Sequence, residues 1–315
     1  MGLFSSLFSS AKPAEDNKQK ANSQNFDLLK YDGIRALRIN KPAYAMKCFT
    51  EALKIQIDLE TMKYLMTAYN ALDMSDKALE TLDAMVATGE EQVNTLLMRA
   101  NFLYMNEQYL ESATDCEQII EMEPDNFTAY LLLAKAEQNI GDLQKAICHL
   151  DKAIDIKESY IEGYTLRADI YLAMERGDNA LADVEKVIEL APEDETAYLL
   201  RARIYELIGN EKSALLDYQL VLELNPFNEA AYIPAGRLLM AAEKYYDALA
   251  LFNEATESIE NFSEAYAARA IVKHQIGDHE GALTDEETAK TLNSDEIETP
   301  DENPNFDNLY KGGIY

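Results

Sequence analysis

Residues 161–194, IEGYTLRADIYLAMERGDNALADVEKVIELAPED, and residues 195–228, ETAYLLRARIYELIGNEKSALLDYQLVLELNPFN, align over 34 positions without a gap. Tyr164 matches Tyr198, Arg167 matches Arg201, Ala168 matches Ala202, Ala180 matches Ala214, Asp183 matches Asp217 and Pro192 matches Pro226. Carrying this register outward gives further starts at 93, 127, 229 and 263, and two more at 26 and 59, the first unit being one residue short. Residues 26–296 therefore read as eight copies of one unit. A fixed period of this length marks a stacked array in which each unit buries its apolar face against its neighbours.

The columns of the alignment have a physical meaning. Position 20 is small throughout: Ala45, Ala78, Ser112, Ala146, Ala180, Ala214, Ala248 and Ala282. Position 8 is Gly33, Met66, Ala100, Ala134, Ala168, Ala202, Gly236 and Ala270. Small residues at two fixed places let two helices approach closely, while large ones at position 4 (Tyr130, Tyr164, Tyr198, Tyr232, Tyr266) and position 24 (Phe49, Leu82, Leu150, Phe252) fill the space beside them. Apolar spacing of three and four between the columns is helical. Gly141, Gly209 and Gly277 at position 15 separate the two helices of a unit. Pro124, Pro192 and Pro226 at position 32 end the second helix, and a following Asn126, Asp194 or Asn228 can cap the next.

This pattern resembles the tetratricopeptide repeat in its 34-residue spacing, its small residues at positions 8, 20 and 27, its aromatic at position 11 (Tyr69, Tyr171, Tyr205) and its proline at position 32. The resemblance implies an all-α fold, a right-handed α-solenoid (superhelix) of antiparallel helix pairs. It also implies a groove lined by positions 2, 5, 6, 9, 12 and 13 of each first helix, where members of the family bind peptides or proteins. The expected organisation is a flexible N-terminal segment over 1–25 with a polar linker at 11–25, the array over 26–296, and an acidic, then aromatic, tail over 297–315. In the last unit Glu286 and Lys290 replace apolar residues, so that helix is expected to close the stack.

Two sets of charges are legible. Arginine stands at position 7 and aspartate at position 23 in the same four units, as Arg99 with Asp115, Arg167 with Asp183, Arg201 with Asp217 and Arg269 with Asp285. The agreement within one chain predicts an ion pair between the two helices of each of these units. Groove positions carry Asn101, Lys135, Gln138, Arg203 and Arg237, with Leu97, Leu131, Leu199 and Ile233 at position 5. The first set could hold a peptide backbone or an acidic or C-terminal group, and the second could hold apolar side chains; packing and local charge balance are the alternative roles. The carboxylate clamp of chaperone-binding members is missing, because the position-5 lysines Lys30 and Lys63 are followed at position 9 by Ile34 and Thr67. Pro234 should kink its helix or delay its start.

Composition narrows the function further. The 315 residues hold 57 acidic and 28 basic side chains for a formal charge of −29, which opposes binding to phosphate backbones, so no nucleic-acid partner is expected. Three cysteines, Cys48, Cys116 and Cys148, are too few for a disulfide framework and fit a cytoplasmic protein in which they pack as small hydrophobes. The start MGLFSSLFSS has no secretory n-region, yet it fits the N-myristoylation pattern through Gly2 and Ser6 and offers Leu3, Phe4, Leu7 and Phe8 to an apolar surface. His149, His274 and His279 fall in no metal or catalytic motif, so no catalytic residue, metal or cofactor is expected. The reading is a non-enzymatic interaction scaffold that binds a protein or peptide. The alternative is a membrane-peripheral assembly factor, touching the membrane only through residues 1–10. The tail residues Phe306, Leu309, Tyr310, Ile314 and Tyr315 suggest a segment that docks on the last repeat or in the groove.

Overall fold

The structure, a computed structural model, describes residues 12–295 and the side chains of residues 22–293. Residues 1–11 and 296–315, with the apolar N-terminal motif and the aromatic tail, lie outside that range. Among the described residues there are sixteen helices and no strand. They belong to two compact units, residues 1–158 and 159–315. The first holds α1 (Lys12–Arg38), α2 (Pro42–Ile55), α3 (Leu59–Asn70), α4 (Ser75–Thr88), α5 (Gln92–Met105), α6 (Tyr109–Met122), α7 (Phe127–Ile140) and α8 (Leu143–Ile156). The second holds α9 (Ile161–Ala173), α10 (Gly177–Leu190), α11 (Glu195–Leu207), α12 (Glu211–Leu224), α13 (Glu229–Ala241), α14 (Tyr245–Ser258), α15 (Ser263–Gln275) and α16 (His279–Asp295). Each unit is thus a run of four helix pairs, an all-α solenoid segment in which each helix packs on the next.

The pairs are antiparallel. Arg99 meets Asp115, Ala100 meets Ser112 through a 2.8 Å hydrogen bond, and Tyr104 stacks edge-on against Tyr109, so numbers rise on α5 as they fall on α6. The small columns lie at these crossings: Ala45, Ala78, Ala146, Ala180, Ala214, Ala248 and Ala282 are all fully buried. Where position 8 is glycine, position 24 is phenylalanine. A Cβ on Gly33 would come within 2.5 Å of the Phe49 ring, and one on Gly236 within 2.1 Å of the Phe252 ring.

Every pair turns in the same way. Position 15 has positive φ in all eight units: Asn40, Asp73, Glu107, Gly141, Glu175, Gly209, Glu243 and Gly277. The following N–H bonds the carbonyl five residues back, as in Gln108 to Leu103, Asp142 to Glu137 and Lys244 to Leu239. This is the Schellman arrangement, which satisfies the last carbonyls of the first helix. Connectors between pairs are capped by Asn126 on Ala129 and Asp194 on Thr196, as expected, whereas the Asn228 side chain caps nothing and donates to Glu195 instead. The tyrosines at position 4 contribute here: Tyr198 and Tyr232 donate to the carbonyls of Pro192 and Pro226 in the preceding unit.

The predicted Arg–Asp pairs form in all four units, each through Nε and Nη2 to the two carboxylate oxygens at 2.6–2.8 Å. The aspartates are almost fully buried, and Tyr164, Tyr198 and Tyr266 rings lie 5.1–5.6 Å from the guanidinium carbons. Arg99 and Arg269 also reach into the preceding repeat. Arg99 Nη1 donates to Asp83, and Arg269 Nη1 donates to Asn253 and Thr256.

Three expectations need correction. Residues 12–25, read as a polar linker, form the first half of α1, because Ala, Glu, Lys and Gln favour helix and Pro13 sits in its first turn, where no N–H is missed. α13 starts at Glu229 and runs through Pro234 without a late start. Cys48 and Cys116 are buried and burial pushes the Cys116 thiol up to about 12, but Cys148 is exposed and fills no core space.

Candidate functional site

In the first unit, a groove of about 920 Å³ opens between α3 and α5. Its floor is Met66, Leu97, Met98, Phe102 and Met105, and its polar lining is Asn70, Asn94, Asn101 and Asn106 with Asp73 and Ser75. Helical periodicity puts Asn94, Leu97, Met98, Asn101 and Met105, positions 2, 5, 6, 9 and 13 of the third unit, on one face of α5. Met105 is 78% exposed, so the apolar surface is open to solvent. Asn101 Nδ2 donates to the Leu97 carbonyl and Asn106 Nδ2 to the Phe102 carbonyl, which orients both amides. Thioethers adapt to varied apolar shapes, and an amide offers both a donor and an acceptor to a peptide backbone.

Of the residues singled out in the sequence, Leu97 and Asn101 come together here. Lys135 and Gln138 lie on α7, both half-buried. Leu131, also on α7, is only 8% exposed, so it packs rather than offering a side-chain pocket; its neighbours Leu132 and Leu133 are buried too. Leu199 and Ile233 are half-buried against the core of Tyr218, Val221 and Tyr232 in the second unit. The position-5 stripe is therefore largely helix packing.

Arg203 and Arg237 belong to the second unit, where both lie near the Tyr218 hydroxyl. Arg237 pairs with Glu206, and Glu206 also accepts a 2.6 Å hydrogen bond from the Tyr218 hydroxyl. Burial and the Glu206 charge push the Tyr218 hydroxyl up, with both arginines opposing. Arg203 also faces Asp169, whose carboxyl burial pushes up. These two cations thus meet local carboxylates, which leaves the charge of this face close to balanced.

The fourth unit departs from the Arg–Asp pattern, with Leu133 and His149 in the two places. Glu137 turns inward instead. Its Oε1 lies 3.3 Å from His149 Nε2, the Tyr130 ring stacks on the imidazole, and its Oε2 has no hydrogen-bond partner. Glu137 is 7% exposed, and burial pushes its carboxyl up to about 7, with Asp142 and Glu117 reinforcing and Lys145 opposing. Burial pushes the His149 imidazole down. No cavity opens on this pair among those described.

At the last turn, His274 and His279 meet Nδ1 to Nδ1 at 3.2 Å with ring centres 5.5 Å apart, while His274 Nε2 bonds Glu286. A ring-centre distance this long puts the two nitrogens head-on, the geometry of one imidazole donating to the other. Among the described residues no three His, Cys, Asp or Glu side chains gather as metal ligands, and no helix is long and apolar enough to cross a membrane.

Sequence reasoning missed Met66, Asn70, Asn94, Met98, Phe102, Met105 and Asn106. The signal was present, since Asn94, Met98 and Met105 stand at groove positions of the third repeat and Asn70 at one of the second, but attention to charge passes over methionine and asparagine. It also missed Glu206, because a carboxylate one repeat away from Arg237 stands in no shared column.

The family model described as tetratricopeptide repeat matches residues 75–161 and 165–229. No curated protein is similar in sequence. Among solved structures, a tetratricopeptide repeat protein from Parabacteroides merdae superposes with a TM-score of 0.56 at 16% identity, over 74% of this chain and 93% of its own. YrrB, titled a TPR protein with an unusual peptide-binding site, gives 0.48 at 21% identity over 58% and 94%. MamA gives 0.49 at 16% identity over 60% and 97%. At these identities the likeness is one of fold.

Proposed function

We propose that this chain, which matches the tetratricopeptide-repeat model over residues 75–161 and 165–229, is a non-enzymatic scaffold holding a segment of another protein against the first helices of its repeats. The observation that carries the reading is the α3–α5 groove, where exposed Met105 stands beside half-buried Met66 and Met98 and the polar lining is mainly asparagine. Apolar side chains of a ligand would bury against Met66, Met98 and Met105, while Asn94 and Asn101 would hydrogen-bond its backbone. A charge-poor lining in a chain of net charge −29 favours a segment read by its apolar side chains. Arg203 and Arg237 on the second unit form the second part of the proposal, a surface for an acidic or C-terminal group in which Arg237 must exchange Glu206 for the ligand, and Lys135 and Gln138 on the first unit offer a separate contact of the same kind. A cytoplasmic location belongs to the same reading and is supported by three cysteines without a disulfide.

The test selects binders from a random peptide library on the full chain. Asn101→Ala/Met105→Glu should weaken the selected peptides at least tenfold without changing the melt, because both residues are exposed. Equal affinity for wild type and variant would sink the groove. Lys135→Glu/Arg203→Glu/Arg237→Glu asks separately whether an acidic or C-terminal group is read.

A further inference from the structure

Between the second helices of successive repeats runs a trough, and in the second unit its filling varies. The pair Arg201–Asp217 lies where α10 and α12 flank α11, and Arg269–Asp285, with Asn253 and Lys273, lies where α14 and α16 flank α15. Between α12 and α14 the same two positions are Ala235 and Leu251, so no ion pair forms there. What remains is an open cleft of about 360 Å³ with Leu239, 4% exposed, at its floor, Leu215 and Leu251 half-buried on its walls and Leu216, 59% exposed, at its rim. Lys212 and Lys244 stand on one side of its charge balance, Asp247 and Glu254 on the other. An exposed leucine beside a cleft that has lost its charged filling is unpartnered apolar surface.

We propose that residues 304–311 of the same chain, PNFDNLYK, dock in this α12–α14 trough. Phe306, Leu309 and Tyr310 are spaced three and four apart, so a single helical turn would present all three on one face. Pro304 suits the first turn of such a helix, and Gly312-Gly313 end it. The charges match in order: Asp307 comes first, for Lys212 or Lys244, then Lys311, for Asp247 or Glu254. The length is sufficient. α16 ends at Asp295, one repeat beyond α14. Two helix widths across and one helix length back amount to roughly 30 Å. The chain from residue 296 to Phe306 spans up to about 36 Å when extended.

The chain contains no tryptophan, so Phe306→Trp in the full-length protein gives a single reporter. Docking predicts emission blue-shifted from that of the free 304–315 peptide carrying the same substitution, independent of protein concentration, with several-fold weaker quenching by iodide. Leu216→Glu, at an exposed position that folding tolerates, should return both readings to those of the peptide. So should Ala235→Arg/Leu251→Asp, which fills the trough with the neighbours' ion pair. Solvent-like emission in the parent overturns the proposal. A blue shift that survives both trough variants places the tail elsewhere and overturns it too, and one that fades on dilution assigns the site to a second copy of the chain.

Discussion

Glu137→Gln should make the protein more stable at pH 8 and leave it unchanged near pH 4. An ordinary glutamate titrates near 4.5, and burial holds Glu137 near 7 in the folded chain. Below 4.5 both folded and unfolded states carry the proton, and ionisation contributes nothing to stability. Between 4.5 and 7 the unfolded chain releases its proton while the folded chain keeps it, so stability falls as pH rises; above 7 the loss is complete and constant. The gap corresponds to about 3 kcal/mol, an upper figure for a carboxyl that still lies near Lys145. Glutamine keeps an oxygen for His149 and removes the charge that the unpartnered Oε2 must otherwise carry. In a cooperative unit of about 150 residues, that amount raises the melting temperature by roughly 5–10 °C at pH 8. Thermal melts of both proteins at pH 4 and pH 8 measure it, and taking the difference cancels the titration of the other carboxylates. A variant that melts lower than wild type at pH 8 would refute the reasoning, since it would mean that ionised Glu137 is stabilised by a protonated His149. The same shift at both pH values would refute it equally.

Three further expectations rest on the repeated columns. Arg201→Ala leaves Asp217 buried without its partner and should cost about 3 kcal/mol in a urea melt, while affinity for a groove peptide stays within twofold. Gly236→Ala drives a methyl into the Phe252 ring and should cost about 1–3 kcal/mol; adding Phe252→Leu should return most of it, and an additive double mutant would refute the contact. Glu107→Gly, Glu175→Gly and Glu243→Gly each relieve a left-handed residue with a side chain and should stabilise by about 0.5–1 kcal/mol apiece, read by chemical denaturation.

What the sequence disclosed followed from how many times each feature is repeated. Arg99, Arg167, Arg201 and Arg269 recur with their aspartates, so one chain supplies four independent observations of the same contact. The pairing of Gly33 with Phe49 and of Gly236 with Phe252 was equally open to inspection, since both phenylalanines stand sixteen residues after their glycines. The turn at position 15 was legible only where glycine fills it; Glu107, Glu175 and Glu243 adopt the same left-handed φ because the flanking helices impose it, and glutamate advertises no turn. Residues that act once were harder to read. Glu206 and Tyr218 meet Arg237 across repeats, and the α3–α5 groove depends on methionines and asparagines whose role emerges only when two helices stand side by side. The helix over 12–25 carries no apolar stripe, so periodicity alone could not reveal it.

The second reach of the arginines bears on how the array comes apart. In a linear stack, opening proceeds from an end and advances one interface at a time, each interface setting its own toll. Arg99 bonds Asp83, so leaving the second repeat free of the third breaks a charged fork as well as apolar contact, and Arg269 does the same between the seventh and eighth. Fraying from the N-terminal end should therefore stall after α4, as a step in amide exchange between residues 88 and 95. At the other end the final pair should stay fastened to its neighbour as one body, so that the seventh and eighth repeats exchange their amides together rather than one after the other.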